Sequence, residues 1–151
     1  MKQVVITKKI MLLTVILFCL PIFVFNAYTQ ESPLKLEAQS DRVIYGINDE
    51  VSVTVLLRNL SDEYLDVVEP AINKRSIQFE IIDPDGKKDK ILDIQDSEPQ
   101  IVRLPPKKRF RFTGKFTPEI TGNYQVVVRY YGFGGQVLEA VPLSIFVVNR
   151  S

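Results

Sequence analysis

Apolar and polar residues alternate with a period of two along most of the chain after residue 33. This period is typical of β-strands that bury one face. The clearest run is Val51–Leu57, in which Val or Leu occupies every second position. Turn signals separate the runs, and the strongest is Asp83-Pro84-Asp85-Gly86, in which Pro presets φ and Gly allows a positive φ. No segment has a helical period over the length that a helix needs. The pattern therefore predicts an all-β protein of seven to nine short antiparallel strands.

Three details of the strand pattern depend on turn placement. The first strand begins at Leu34, breaks at Ser40-Asp41, and is predicted to resume over Arg42–Tyr45. Residues Lys87–Ile94 are predicted to pair back as the partner of the hairpin that Gly86 closes. The last strand is predicted to run from about Gln136 to Val148, with Val141, Leu143, Ile145 and Val147 on one face. Pro142 cannot donate a ladder hydrogen bond, so we expect it at a sheet edge or a bulge.

Tyr124 marks the strand around which the other strands are arranged. It follows the turn residue Gly122, and apolar residues alternate after it as far as Tyr130. A Tyr at the start of a strand just after a turn is typical of a tyrosine corner. In this motif the ring enters the core and the hydroxyl bonds to backbone a few residues upstream. We therefore predict structural roles for Tyr124 and Gly122.

The segment Gly132-Phe133-Gly134-Gly135 is predicted to be the last hairpin loop. Loops at the ends of a sandwich are common binding surfaces, and rigid aromatic residues often anchor interfaces. Tyr131 and Phe133 are therefore candidate contacts for a partner protein. The other interpretation is that Phe133 folds back and closes the end of the core.

The N-terminal residues 1–29 resemble an export signal. Lys2, Lys8 and Lys9 precede the apolar run Ile10–Phe25. Cleavage after Ala27 or Thr29 fits the usual small-residue pattern poorly, so a cleaved signal peptide and an uncleaved anchor helix both stay open. In either case we expect an exported body, which is periplasmic, secreted or held outside the cytoplasmic membrane. Membrane contact is expected only through this segment, residues 30–33 are a linker, and residues 34–151 form the folded domain.

The amino-acid composition limits the catalytic and binding functions that the chain can have. The chain has no His, and its one Cys, Cys19, lies in the apolar run. Chemistry based on a His triad, a thiolate or a zinc cluster is therefore excluded from the body, and we expect no enzyme activity and no cofactor. The leader holds three of the 19 basic residues and none of the 18 acidic ones, which leaves a net charge of −2 for the rest. This balance argues against a nucleic-acid partner.

Two charged stretches have both a functional and a plain interpretation. Asp83, Asp85, Asp89 and Asp93, followed by Asp96 and Glu98, offer oxygen ligands for Ca²⁺. Lysines lie among them, however, and a solvated hairpin without metal is the preferred interpretation. The stretch Pro105–Arg111 has the composition to contact anionic lipid or polysaccharide, and its plain interpretation is an exposed strand face.

Three segments carry a resemblance to a known family: Tyr45–Val55, Ile81–Lys87 and Gly122–Tyr124. Together they resemble bacterial extracytoplasmic immunoglobulin-like domains, which include macroglobulin-type and proteinase-inhibitor-type modules. The resemblance implies an immunoglobulin-like β-sandwich over residues 34 to 148, although Ile47-Asn48-Asp49 replaces the usual Pro-Gly-Glu turn. It also implies a non-catalytic binding or structural module of the cell envelope. The alternative is a proteinase-inhibitor-type domain that presents a loop to an enzyme, so the expected partner is an envelope protein or a protease.

Overall fold

The computed structural model describes residues 32–71, 75–90 and 98–149. Within these ranges the chain is all-β, as predicted, and no helix there is long and apolar enough to cross a membrane. The predicted signal or anchor helix over residues 1–29 lies outside the described ranges. A compact unit begins at Ser32. Its described strands are β1 Leu34–Ser40, β2 Ile44–Gly46, β3 Val51–Asn59, β4 Leu65–Val68, β5 Ile77–Ile82, β6 Lys88–Lys90, β7 Ile101–Leu104, β8 Arg109–Phe116, β9 Gly122–Phe133, β10 Gln136–Glu139 and β11 Leu143–Val148.

The described strands form two main sheets. Sheet one has the order β1-β3-β8 and is antiparallel throughout. Sheet two has the order β2-β11-β9-β5-β6, and β10 also pairs with β9. A separate pair, β4-β7, accompanies them. An immunoglobulin sandwich places its strands A, B and E in one sheet and C, F and G in the other. Strands β1, β3 and β8 match the first set, and β5, β9 and β11 match the second, so the fold is an immunoglobulin-like β-sandwich.

The core lies between the inner faces of the two sheets, where the alternating residues predicted to be buried are found. Phe79 on β5 is fully buried, and its ring reaches Gly114 on β8. A Cβ atom at Gly114 would lie 2.6 Å from Cζ of Phe79, so a side chain there would collide with the ring. The absence of a side chain at Gly114 therefore makes room for the largest side chain of β5.

The strand predicted over Arg42–Tyr45 does not continue the first strand. After Ser40 the chain leaves sheet one, and β2 pairs in parallel with β11 in sheet two, with Ile44 opposite Phe146. The side chain of Tyr45 holds this crossover, because its hydroxyl donates to Asp41 and its ring lies 4.6 Å from the Arg42 guanidinium carbon. The break at Ser40-Asp41 is thus a change of sheet, which explains part of the excess of eleven described strands over the predicted seven to nine.

The predicted last strand is also two strands. The ladder along β9 is interrupted at Ala140–Pro142, so β10 and β11 pair with different parts of β9. Val141, which was predicted to face the core, is 83% exposed in this interruption. Pro142, which lacks an N–H group, lies there as well, whereas Ile145 and Val147 are buried as expected.

Two hairpins differ in their limits from the prediction. Strand β9 continues through Gly132 and Phe133, and only Gly134-Gly135 forms the turn, with φ of 54° and 73°. Positive φ at both central residues is the geometry of a two-residue type I′ hairpin. The predicted partner strand over Lys87–Ile94 is described only as β6, which pairs with β5, and residues 91–97 lie outside the described ranges.

Candidate binding surface

Tyr124 and Gly122 lie where β8 connects to β9. Tyr124 is 4% exposed, and its hydroxyl donates to the Ile120 carbonyl (3.1 Å) and accepts from the Ile120 N–H (3.2 Å). This is the geometry of a tyrosine corner. Gly122 has a φ of 133°, and a Cβ atom there would lie 2.7 Å from Cγ of Pro84. Both residues stabilise this connection, and Tyr124 also lines a groove beside the turn at Asp83.

The candidate contacts Tyr131 and Phe133 have different environments. Phe133 is half-buried and packs against the core, and strand β9 extends through it. Tyr131 is 41% exposed, and its hydroxyl donates to Oε1 of Gln78 over 2.9 Å. The packing of Phe133 favours its interpretation as a plug of the core, and Tyr131 is the member of the pair that a partner can reach.

In the acidic turn at residues 83–87, the carboxylate of Asp83 forms hydrogen bonds within the turn itself. Oδ1 of Asp83 accepts the N–H groups of Asp85 (3.0 Å) and Lys87 (2.8 Å), which stabilises the turn. A groove of about 400 Å³ beside it also contains Asp89. Among the described residues, no group of three or more acidic, His or Cys side chains is arranged to hold a metal ion. Asp93 and Asp96 lie outside the described ranges.

Basic side chains converge at one end of the outer face of sheet one. In the strand register, Lys35 lies opposite Arg58, and Arg58 lies opposite Arg109. This pairing places three cations in one row across β1, β3 and β8, and Arg111 follows on the same face of β8. Lys107 and Lys108 lie in the turn that precedes β8. We call this set the basic corner; it consists of Lys35, Arg58, Lys107, Lys108, Arg109 and Arg111.

Acidic side chains neutralise only part of the basic corner. Oε1 of Glu37 lies 3.0 Å from Nζ of Lys35, and Oε2 of Glu37 lies 2.6 Å from Nε of Arg58. The hydrogen bond with Lys35, with further help from Arg58, lowers the pKa of this carboxyl below its usual value. Lys107 pairs with Asp62 at 3.2 Å.

Three cations of the corner, Lys108, Arg109 and Arg111, have no acidic partner among the described residues. The side chains of Lys108 and Arg109 make no ion pair or hydrogen bond with any described residue. Among the described residues, the Arg111 side chain contacts only the Thr54 hydroxyl, at 3.5 Å. Like charges directly opposite each other on neighbouring strands destabilise a sheet, so Arg109, which lies opposite Arg58 without an acidic partner of its own in the described part of the chain, is unfavourably placed.

A groove of about 430 Å³ opens in the basic corner, and Arg58, Asn59, Leu60, Lys107, Lys108 and Arg109 line it. The groove has a rigid base, because Asn59 is 1% exposed and its amide donates to the carbonyls of Glu63 (2.7 Å) and Leu104 (3.2 Å). The adjoining turn is also held, since Lys107 Nζ donates to the Leu60 carbonyl over 2.6 Å. The groove therefore combines a fixed frame with two uncompensated cations.

The outer face of sheet two contrasts with the basic corner. There Glu80 pairs with Lys88 at 3.1 Å and with Arg129 at 3.7 Å, and Arg129 also pairs with Glu139 at 2.7 Å. Each cation of this ladder has an acidic partner on a neighbouring strand. The cations of this ladder are thus paired, unlike Lys108 and Arg109 of the basic corner.

The sequence indicated four of the six residues of the basic corner. The basic stretch Pro105–Arg111 was singled out as a candidate, but Lys35 and Arg58 were not. Both lie on strands whose alternation places them outward, and that was the available signal. Their approach to Arg109 depends on the strand order β1-β3-β8, which the alternation does not fix.

Comparisons with known proteins support the fold and say nothing of the function. No family model matches the sequence, and no curated protein matches it. The chain is similar to the sporulation control protein Spo0M from Bacillus subtilis, with a TM-score of 0.51 and 17% identity over 78% of this chain and 50% of that chain. The chain thus spans about half of the length of Spo0M. At such identity the likeness extends to the fold alone.

A second similar protein is the CARDB domain of the PF1109 protein from Pyrococcus furiosus. Its crystal structure, in complex with di-metal ions, gives a TM-score of 0.48 and 17% identity over 76% of this chain and 87% of that domain. Its solution structure gives a TM-score of 0.48 and 18% identity. Neither protein is described as a macroglobulin-type or proteinase-inhibitor-type module, so that finer resemblance stays a prediction.

Proposed function

We propose that this chain is a non-catalytic, exported binding module of the cell envelope that holds an anionic envelope component at its basic corner. The observation that carries the proposal is the pair Lys108 and Arg109, whose side chains have no acidic partner among the described residues. Clustered cations without partners are the electrostatic requirement for attracting a negatively charged surface or ligand.

Energetic reasoning supports the assignment of this surface. The chain beyond the leader has a net charge of −2, so its positive charge is not a general property of the domain. Arg109 lies directly opposite Arg58 and has no acidic partner among the described residues, and like charges repel across strands. A bound anion would compensate that repulsion, and the same positions would otherwise accommodate neutral residues at lower cost.

The leader and the composition support the other parts of the proposal. Three lysines followed by an apolar run are typical of an export signal. The body contains neither His nor Cys, which removes the commonest catalytic nucleophiles and bases.

Two measurements on the full chain test this function. Fractionation of cells that express a tagged chain should recover it outside the cytoplasm, either cleaved or anchored, and the mass distinguishes the two. The recovered protein should then sediment with isolated cell envelopes, and less of it should do so as salt increases. Recovery of an uncut, soluble chain in the cytoplasm would contradict export, and failure to sediment at low salt would contradict envelope binding.

The alternative function is a proteinase-inhibitor-type domain, which would insert an exposed loop into an enzyme cleft. The β9–β10 connection is only the turn Gly134-Gly135, and its neighbour Phe133 packs against the core. This connection is too short to enter a cleft in an extended form, so we rank the alternative second. Inhibition of any enzyme in a panel of serine, cysteine and metalloproteases would reverse that ranking.

A further inference from the structure

We propose that the groove of the basic corner binds a phosphate ester group, an inference that rests on the proposed function and names its ligand class. The groove has a volume of about 430 Å³, which is enough for a phosphate group and the alcohol attached to it. Cations line it from two directions: Arg58 and Arg109 come from adjacent strands, and Lys108 comes from the preceding turn.

The types of side chain favour a phosphate. An arginine presents a planar fork of N–H donors that matches two oxygens of a phosphate or a carboxylate, and a lysine adds a point charge. In the register Arg58 and Arg109 are directly opposite, and both side chains line the groove. A planar carboxylate offers two oxygens, whereas a tetrahedral phosphate offers oxygens in several directions. Donors that converge from two strands and a turn therefore fit the phosphate better.

The donors of the groove are not saturated by the fold. Nε of Arg58 is buried and lacks an aligned hydrogen-bond acceptor, although the Glu37 carboxylate lies 2.6 Å away. Lys108 and Arg109 have neither ion pairs nor side-chain hydrogen bonds with described residues. Lys108 and Arg109 can therefore turn toward a ligand without breaking an ion pair or hydrogen bond with the part of the chain that the structure describes, whereas Arg58 is held in place by Glu37.

The frame of the groove is ordered before any ligand arrives. The Lys108 N–H donates to the Pro105 carbonyl over 3.2 Å, which closes a turn with Pro106 and Lys107 at its centre. Lys107 has a φ of 58° in this turn, a position where type II turns favour Gly or Asn. Its Nζ bond to the Leu60 carbonyl ties the turn to the end of β3. Such a fixed turn reduces the ordering cost of binding.

The test measures the affinity of the full chain for small phosphates by titration calorimetry. The probes are inorganic phosphate and glycerol 1-phosphate, with acetate as the carboxylate control. We expect both phosphates to bind and acetate to bind much more weakly. Arg109→Gln and Lys108→Gln should each weaken glycerol 1-phosphate binding about tenfold, which corresponds to about 1.4 kcal/mol.

Lys115→Gln is the matched control, because it removes one charge from the same strand outside the groove. It should leave the affinity within about twofold of the wild type, which is less than about 0.5 kcal/mol. The melting temperature of each variant shows that it folds. Equal weakening by Lys115→Gln, or equal binding of acetate, would overturn the assignment to a phosphate-specific groove.

Vesicles separate the two sources of a phosphate ester. If the ligand is a lipid headgroup, the chain should sediment with vesicles that contain phosphatidylglycerol and not with pure phosphatidylcholine, and Arg109→Gln should abolish this. If the ligand is a soluble ester, glycerol 1-phosphate should bind, and the chain should sediment with neither kind of vesicle. Envelope sedimentation without binding of any phosphate probe would overturn this inference and leave the proposed function standing, whereas phosphate binding without envelope sedimentation would overturn the proposed function.

Discussion

At the scale of single residues, the hydroxyl of Tyr124 makes a contribution that can be measured by itself. It bonds to both backbone groups of Ile120. Tyr124→Phe should therefore lower the free energy of unfolding by about 1 kcal/mol, the net contribution of a hydrogen bond. Tyr124→Ala should lower it by about 3–5 kcal/mol through a core cavity. Urea denaturation measures both changes. Tyr131→Phe is the control, because its hydroxyl contacts Gln78 on the exposed surface, and it should change stability by less than about 0.5 kcal/mol.

Substitution of Phe133 distinguishes two roles of this residue, as a side chain that fills the end of the core or as an anchor for a partner. Its ring is half-buried against the core, so Phe133→Ala should lower the thermal midpoint by several degrees, because a loss of about 1 kcal/mol shifts the midpoint of a domain of this size by a few degrees. Tyr131→Ala, two residues earlier in the same strand and 41% exposed, should change the midpoint much less. An unchanged midpoint for Phe133→Ala, together with reduced envelope binding, would restore the anchor interpretation.

At the scale of the strands, the contact between β5 and β8 depends on a missing side chain. A methyl group at Gly114 would enter the ring of Phe79, at 2.6 Å from Cζ. Gly114→Ala should therefore lower the free energy of unfolding by about 1–3 kcal/mol through overpacking. Thr113→Ala, on the exposed side of the same strand, should stay within about 0.5 kcal/mol in the same denaturation assay. Equal stability of Gly114→Ala and the wild type would show that the two sheets are further apart than described.

The crossover from β1 to β2 predicts a dependence on pH. The hydrogen bond from the Tyr45 hydroxyl, with help from Arg42, lowers the pKa of Asp41 in the folded state. The resulting stabilisation is complete above the unfolded pKa of about 3.9 and is lost as the pH falls through the lower folded value. Asp41→Asn should therefore be less stable than the wild type at neutral pH, and the difference should shrink in acid.

Tyr45→Phe tests the same contact from its other partner. Tyr45→Phe removes the hydroxyl that donates to Asp41. The variant should therefore also be less stable than the wild type at neutral pH, and this difference in unfolding free energy should shrink in acid as it does for Asp41→Asn. Denaturation midpoints measured across the acid range give both differences. Differences that do not change with pH would contradict the assigned contact between Tyr45 and Asp41.

Strand alternation predicted the elements better than their connections. It located the core-facing residues of β3, β5 and β9, because these recur at every second position, but it did not show that Leu56 and Val127 are buried on the other face. It did not show that the chain changes sheet after Ser40, because the same alternation continues in the second sheet. It also did not show that Arg58 meets Arg109, since register between distant strands is set by the whole sheet. The basic stretch Pro105–Arg111 was therefore visible in the sequence, but the groove was not.

At the scale of the whole molecule, net charge conceals the feature on which the proposed function depends. The chain beyond the leader has a net charge of −2, yet the outer face of sheet one concentrates cations at one end. On sheet two the cations of the ladder through Glu80 and Arg129 are paired. A protein with this distribution should be oriented by an anionic surface, with the basic corner toward it.

Sedimentation with isolated cell envelopes, compared between two charge-reversal variants, tests the central claim most directly. The account predicts that the full chain with Lys108→Glu and Arg109→Glu loses most of its envelope-bound fraction at low salt, because the variant reverses the two cations of the groove that have no acidic partner in the described part of the chain. The control with Lys90→Glu and Lys115→Glu makes the same change in net charge outside the corner, and it should retain binding close to the wild type. Equal losses for the two variants, or equal retention, would contradict binding through the basic corner.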